Sequence, residues 1–260
     1  MKKYSELKDR VVLITGGTQG IGEAMADAYT AQGCKVAING RVLNEKVKKV
    51  VDRTGAYPAM GDIGDPAVPP RIVKETIEQY GGIDVLIANA TAMTMEPFLE
   101  QDEKDWWDQI NIHLDGHYLA IQEALPHMLK QKRGTLIFIS SWFGILGWKN
   151  ATGYNSTKTG VLALGQHITR YYEKYNINAC IIAPGVIRTP QLQVDADDMG
   201  LSFDDMCRVY AEDTPAKRIG EPEEIASMAV FMSTEVGGRA LRGRHVQVTG
   251  GECRITPYYL

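Results

Sequence analysis

Val11-Val12-Leu13-Ile14-Thr15-Gly16-Gly17-Thr18-Gln19-Gly20-Ile21-Gly22 is the stretch that decides the fold. An aliphatic run without polar alternation fits a strand covered on both faces. It ends in spaced glycines and leads directly into an amphipathic segment. Glycines at 16, 20 and 22 let the backbone turn sharply and come close to an anion. The helix starting there offers unpaired N–H groups and the positive end of its dipole. A glycine-rich turn alone can be only a tight turn. Between such a strand and such a helix it reads as a dinucleotide site.

Outward from this turn, short apolar runs keep alternating with longer amphipathic ones, which is the pattern of βαβ units and a parallel sheet. The pattern predicts strands over 10–15, 35–39, 56–60, 84–88, 134–140, 177–183 and 244–249. Helices are predicted over 20–32, 43–53, 66–80, 103–131, 152–175 and 222–234. Connections are short, with no repeat and no low-complexity tract, so residues 1–260 read as one domain. The segment 190–215 breaks the rhythm. It is weakly amphipathic and carries Asp195, Asp197, Asp198, Asp204, Asp205, Glu212 and Asp213. Two readings stand: a substrate lid, or a solvated surface loop.

The 260 residues are enough to bury a core without staples. A net charge of −4 disfavours nucleic acid and anionic membrane as partners. Cys34, Cys180, Cys207 and Cys253 are scattered, without a CxxC pair or metal-ligand spacing, and read as free thiols. The opening MKKYSELKDR holds no apolar signal region, and no run approaches the roughly 20 apolar residues of a membrane span. The expectation is a cytoplasmic enzyme acting on a small molecule, without a metal.

The chemistry concentrates in Tyr154-Asn155-Ser156-Thr157-Lys158, with Ser141 thirteen positions before the tyrosine. A tyrosine and a lysine four apart share a helix face. A phenol titrates near pH 10, so alone it is a poor base at neutral pH. Unit charges about 5 Å apart at an effective dielectric near 20 interact by roughly 3 kcal/mol, or about two pKa units. A neighbouring ammonium can thus bring the phenol within reach of proton exchange with a hydroxyl or carbonyl.

Together these elements resemble the short-chain dehydrogenase/reductase family across nearly the whole chain. The matching runs are TGGTQGIG at 15–22, GDI at 61–63, NAT at 89–91, SS at 140–141, YNSTK at 154–158 and PGVIRT at 184–189. The resemblance implies a Rossmann-type, doubly wound, seven-stranded parallel sheet. It implies that Tyr154 exchanges the proton, Ser141 holds the reacting oxygen, and Lys158 holds the nicotinamide ribose. Cofactor contacts carry over to Gly16, Thr18, Gln19, Gly20, Ile21 and Gly22 in the turn. They carry over also to Asp62 and Ile63 at the adenine, Asn89 and Ala90 beside the sheet, and Pro184, Gly185, Ile187 and Thr189 at the carboxamide.

Cofactor choice rests on the end of the second strand, Val36-Ala37-Ile38-Asn39-Gly40-Arg41. NAD enzymes usually carry a carboxylate there. Gly40 takes that position and Arg41 can pair with a 2′-phosphate, which favours NADP. Gln19, where many NADP-using relatives have a basic residue, keeps NAD as the alternative.

Thr91 stands where the family has glycine, and His113 where it has an asparagine that supports a proton relay. His113 and His117 are spaced i, i+4 as metal ligands can be, with no third ligand suggested. Trp142, Phe143, Trp148 and Lys149 fall where relatives line the substrate pocket. Ile121, Ala124, Leu125 and Leu129, with Leu162, Leu164 and Ile168, suggest apolar stripes on more than one helix side, and relatives form homodimers or homotetramers through these helices. Two readings compete with a dehydrogenase: a catalytically idle dinucleotide-binding sensor or scaffold, and an epimerase or dehydratase.

Overall fold

The computed structural model describes residues 2–252; Cys253 and the remaining C-terminal positions lie outside them. Seven strands form one sheet, all parallel, in the order β3-β2-β1-β4-β5-β6-β7. They are β1 (Val11–Ile14), β2 (Lys35–Ile38), β3 (Tyr57–Pro58), β4 (Val85–Ala88), β5 (Gly134–Ile139), β6 (Ile177–Pro184) and β7 (His245–Val248). β1 and β4 are buried on both faces, as their unbroken apolar runs require.

The helices are α1 (Gly20–Ala31), α2 (Glu45–Thr54), α3 (Val68–Tyr80), α4 (Glu103–Ile110), α5 (His117–Gln131), α6 (Phe143–Leu146), α7 (Thr152–Tyr172), α8 (Gln191–Asp198), α9 (Phe203–Asp213), α10 (Pro222–Met232) and α11 (Glu235–Ala240). On one face, Val12 and Ile14 of β1 pack with Met25 and Tyr29 of α1 and Val230 of α10. On the other, Leu13 joins Ile72 of α3, Ala124 and Met128 of α5 and Val161 of α7. The chain builds outward from β1 to β3, then crosses back to place β4 against β1. That reversal opens a crevice beyond the carboxyl ends of β1 and β4, where doubly wound sheets bind ligands.

Three differences from the sequence pattern matter. The expected helix 103–131 is interrupted by a π-helical turn, Asn111–Gly116, that joins α4 to α5. Gly116 explains part of this: a Cβ there would lie 2.5 Å from the Ile63 carbonyl, so the rod passes unusually close to that loop. Two short helices, α6 and α11, escaped the pattern because four and six residues hold too little periodicity. The residues expected to mark outer stripes are instead used internally. Ile121, Ala124, Leu125 and Ile168 are buried in the core of the second face, and Leu129, Leu162 and Leu164 pack against it.

Candidate active site

The crevice continues into a cleft of about 560 Å³. Every residue assigned above to the cofactor or to catalysis lines it, from Gly16 at one end to Tyr154 and Lys158 at the other. At the glycine turn, Gly16 and Gly20 have φ of +64° and +54°, and a Cβ on Gly22 would lie 2.0 Å from the Gly16 carbonyl. Gln19, the residue before α1, makes no side-chain cap, so the first N–H groups of the helix face the cleft without one. Asn89 holds the turn from behind, its amide donating to the carbonyls of Thr15 (2.8 Å) and Gly16 (3.2 Å). Such a cradle fits a pyrophosphate.

Further along, Arg41 is exposed at the cleft rim. Gly40 is sterically fixed: a Cβ would lie 2.6 Å from Thr18 Cγ2. Lys46, which the sequence reading missed, donates to Gln19 Oε1 at 3.3 Å and brings a second cation to this end. Asp62 accepts from Gly64 N–H through Oδ1. Gly185 is tied to β7 through Val248 O, and Thr189 packs against Gly20, so the turn after β6 closes over the glycine turn.

At the chemical end, Tyr154 and Lys158 project from the first turns of α7, and Ser141 follows β5. Ser141 Oγ accepts from Phe143 N–H at 3.1 Å and is also a hydrogen-bond partner of the Tyr154 phenol. Lys158 is buried, and its Nζ donates to Ile139 O at 3.0 Å. Burial lowers its pKa to about 7. The expectation that Lys158 pulls the phenol down is not met by the electrostatics of the protein's own groups. Burial pushes Tyr154 above its ordinary value, opposed by hydrogen bonds from Ser141 and Thr91. Both groups lose water in the same pocket, and that desolvation is the leading cause of each shift.

His113 is held in a defined hydrogen-bond network. Its Nε2 accepts from Ala92 N–H at 3.0 Å, so Nδ1 carries the proton and donates to Thr157 Oγ1 at 2.7 Å. Thr157 in turn donates to Tyr154 O. Burial, then the charge of Lys158, hold this imidazole well below its ordinary pKa. It is therefore neutral and does not carry a proton as a cation near neutral pH. Thr91 Oγ1 lies 2.9 Å from the same Nε2. His117 donates from Nδ1 to His113 O, and its Nε2 meets Thr15 Oγ1 at 3.2 Å. All four ring nitrogens are thus engaged within the protein.

Above this end, Phe143 and Trp148 stack at 4.8 Å with planes 8° apart, and Trp142 lies behind them. Helices α8 and α9 cover the cleft from 190–215, joined by a small core of Leu192, Cys207 and Ile219. Not all the carboxylates of this segment face solvent. Asp195 is half-buried in the cleft and accepts from Gln191 (3.2 Å) and Tyr210 (3.3 Å), two further residues that motif reading did not reach. Lys149 is exposed and does not line the cleft.

Residues 10–200 match the family described as short chain dehydrogenase. The chain is 34% identical over 257 residues to L-rhamnose-1-dehydrogenase of Scheffersomyces stipitis, covering 94% of this chain and 96% of that protein. It is 31% identical over 252 residues to (2S)-[(R)-hydroxy(phenyl)methyl]succinyl-CoA dehydrogenase subunit BbsD of Thauera aromatica, covering 94% and 97%. Among solved structures, ligand-free aldohexose dehydrogenase of Thermoplasma acidophilum superposes with a TM-score of 0.88 at 25% identity, covering 95% of each chain. The chain belongs to the short-chain dehydrogenase/reductase family and is a nicotinamide-dependent oxidoreductase of the kind that acts on CH–OH and C=O groups.

Proposed function

We propose that this enzyme transfers hydride between NADP(H) and a carbonyl or secondary alcohol of a sugar-sized, polyhydroxylated substrate, with Tyr154 as general acid and base. The observation that carries the reading is the meeting of Ser141, Tyr154 and Lys158 at one end of a cleft whose other end is an uncapped helix N-terminus. When bound, the nicotinamide supplies or accepts the hydride. Tyr154 Oη gives its proton to the carbonyl oxygen in reduction and takes it back in oxidation. Ser141 donates its one hydroxyl proton to that oxygen, and Lys158 holds the cofactor ribose and adds positive charge beside the tyrosine.

NADP over NAD is supported by the absence of room for a carboxylate at Gly40 and by Arg41 and Lys46 at that end. A polyol is supported by the stacked rings of Phe143 and Trp148 and the hydrogen-bonded set of Asp195, Gln191 and Tyr210, which line the same cleft. Apolar ring faces suit the C–H side of a sugar, and a carboxylate suits its hydroxyls. The names of the rhamnose and aldohexose relatives point the same way. The CoA-linked relative defines the second substrate class to test. A homodimer or homotetramer in the cytoplasm completes the proposal, in keeping with the free thiols of Cys34, Cys180 and Cys207.

The test is oxidation and reduction of a panel of aldoses, ketoses and 3-oxoacyl thioesters with both cofactors. Turnover confined to sugars with NADP(H), and lowered at least about 10²-fold in Tyr154→Phe, is expected. Near-normal turnover in that variant refutes the mechanism, and turnover confined to thioesters refutes the substrate class.

A further inference from the structure

Helix α8 turns one carboxylate into the cleft. Asp195 is half-buried there, while Asp197 and Asp198 on the same helix are exposed. Its two oxygens are held by different neighbours: Gln191 donates to Oδ1 at 3.2 Å, and Tyr210 of α9 donates to Oδ2 at 3.3 Å. Both partners also line the cleft. Each oxygen of an ionised carboxylate can accept about two hydrogen bonds, so a lone pair on each stays open. Neither partner is a cation, and among the described residues Asp195 forms no ion pair. The cations that line the cleft are engaged or lie elsewhere: Arg41 stands at the cofactor rim, and Lys158 donates to the Ile139 carbonyl. Ring contacts locate this carboxylate at the chemical end. Phe143 meets the Tyr154 ring edge-on at 6.4 Å and stacks on Trp148 at 4.8 Å. Tyr210 shares with Phe143 and Trp148 the wall of a small side cavity, and its hydroxyl is the one that holds Asp195.

We propose that Asp195 is a specificity-determining residue that selects an uncharged sugar: its oxygens accept from neighbouring hydroxyls of the substrate, and its charge turns away sugars that carry a carboxylate or a phosphate. This rests on the substrate being a polyol. The two oxygens lie side by side, which suits hydroxyls on adjacent carbons. The Gln191 and Tyr210 donors fix the plane of the group and favour its ionised form, against the burial that disfavours it. A hydroxyl that leaves water for this wall exchanges a neutral acceptor for a charged one, and so gains. An anionic group brought to the same wall meets a like charge that no arginine or lysine offsets, where less water remains to screen it. Selection therefore works by attraction and by repulsion together. The consequence is narrower than a preference for sugars: free aldoses and ketoses are taken, while sugar acids and sugar phosphates are refused.

The experiment compares glucose, galactose and mannose with their uronates and with their phosphate esters at the primary hydroxyl, which keep the anomeric carbon and add charge at the far end. Values of kcat/KM with NADP⁺ are measured for the parent, Asp195→Asn and Asp197→Asn, and binding of each sugar to the enzyme with NADP⁺ is followed by calorimetry. The parent is expected to prefer the neutral sugars by about tenfold or more. Asp195→Asn keeps the size and removes the charge. KM and Kd for the neutral sugars are expected to rise about fivefold or more with kcat little changed, as a hydrogen bond to a charged acceptor is lost. Over the same substitution kcat/KM for the anionic sugars rises, and the gap closes to within about threefold. Asp197→Asn makes the same change of charge on an exposed side chain of α8 and keeps the parent's gap. A merely structural role for Asp195 would lower every substrate together, so a gain for the anions is what that role cannot give. Should Asp195→Asn not fold, Asp195→Ser, smaller and also uncharged, takes its place. A gap unmoved in the Asp195 variant, a gap that closes equally in Asp197→Asn, or a parent that takes neutral and anionic sugars alike overturns the proposal. If the parent oxidises neutral sugars and the gap does not move, this inference alone fails; if it turns over thioesters and binds no sugar, the polyol reading fails and takes this inference with it.

Discussion

Lys158 reaches past the Tyr154 ring to donate its Nζ proton to the Ile139 carbonyl at 3.0 Å, at the very end of β5. A buried ammonium is thus anchored by a neutral dipole. Desolvation without a carboxylate is what lowers its pKa to about 7. An ammonium in this state is a cost to the fold, maintained for the chemistry it supports.

That cost has a pH signature. Between about pH 7 and the ordinary lysine value the unfolded chain binds a proton that the folded chain does not, so stability rises with pH there. Below about pH 7 both states are protonated and the full penalty remains. The slope from this group approaches about 1.4 kcal/mol per pH unit. Lys158→Met, which keeps an unbranched chain without charge, is expected to lose that slope, to unfold at higher urea than the parent at pH 7, and to be inactive. Urea midpoints at pH 7, 8 and 9 decide it; parallel pH dependence in parent and variant would show that Lys158 is not the destabilising group.

Cofactor choice should follow the Gly40–Arg41 pair. Arg41→Ala removes the partner of a 2′-phosphate and is expected to weaken NADPH by about tenfold or more, leaving NADH unchanged. Gly40→Asp alone is expected to weaken both, because its Cβ would meet Thr18 at 2.6 Å. Adding Thr18→Ala makes room and is expected to favour NADH. Calorimetric titration of both cofactors checks this, and equal losses in Arg41→Ala would mean the guanidinium does not face the 2′ position.

The sheet, the glycine turn and the Ser141–Tyr154–Lys158 set were legible because each is local: a run, a spacing, a turn residue. What was not legible depends on packing. Thr91 and His113 are 22 positions apart and meet only because the π-helical turn passes beside the end of β4. The i, i+4 spacing of His113 and His117 is one that metal ligands can have, with no third ligand suggested, and what the spacing alone did not reveal is that the folded neighbourhood engages every ring nitrogen. Of the apolar stripes on α5 and α7, Ile121, Ala124, Leu125 and Ile168 are buried within the protomer, while Leu129, Leu162 and Leu164 are only partly covered by it. Periodicity reports that a face is covered and does not say by what.

Association is nevertheless expected, through other residues. Tyr118 on α5 and Tyr171 on α7 are 49% and 58% exposed, and β7 is the last strand of the sheet among the described residues. Large exposed aromatics on helices of one layer are a common mark of an association surface. Light scattering at micromolar concentration should give the mass of a dimer or tetramer, reduced by Tyr118→Glu with Tyr171→Glu. A monomeric mass for the parent would refute the association.

The segment 190–215 is expected to open and close as a lid. It is tied down by a few buried apolar residues, Leu192, Ala196, Met206 and Cys207, with a small cluster that Ile219 joins from beyond the segment. Gly200, with φ of +65°, lies between α8 and α9 and can serve as a flexible joint. The side it presents to the cleft includes Asp195, whose pKa is raised by burial and which is held by Gln191 and Tyr210. A polyol offering donors to that carboxylate would replace lost water and favour the shut state. Amide hydrogen exchange over α8 and α9 is expected to be fast in the free enzyme and clearly slowed by NADP⁺ with a sugar substrate, and Asp195→Asn should reduce the slowing that the sugar adds. Equal protection with and without ligands would make α8 and α9 a fixed wall of the cleft, and selectivity would then rest on the Phe143–Trp148 stack alone.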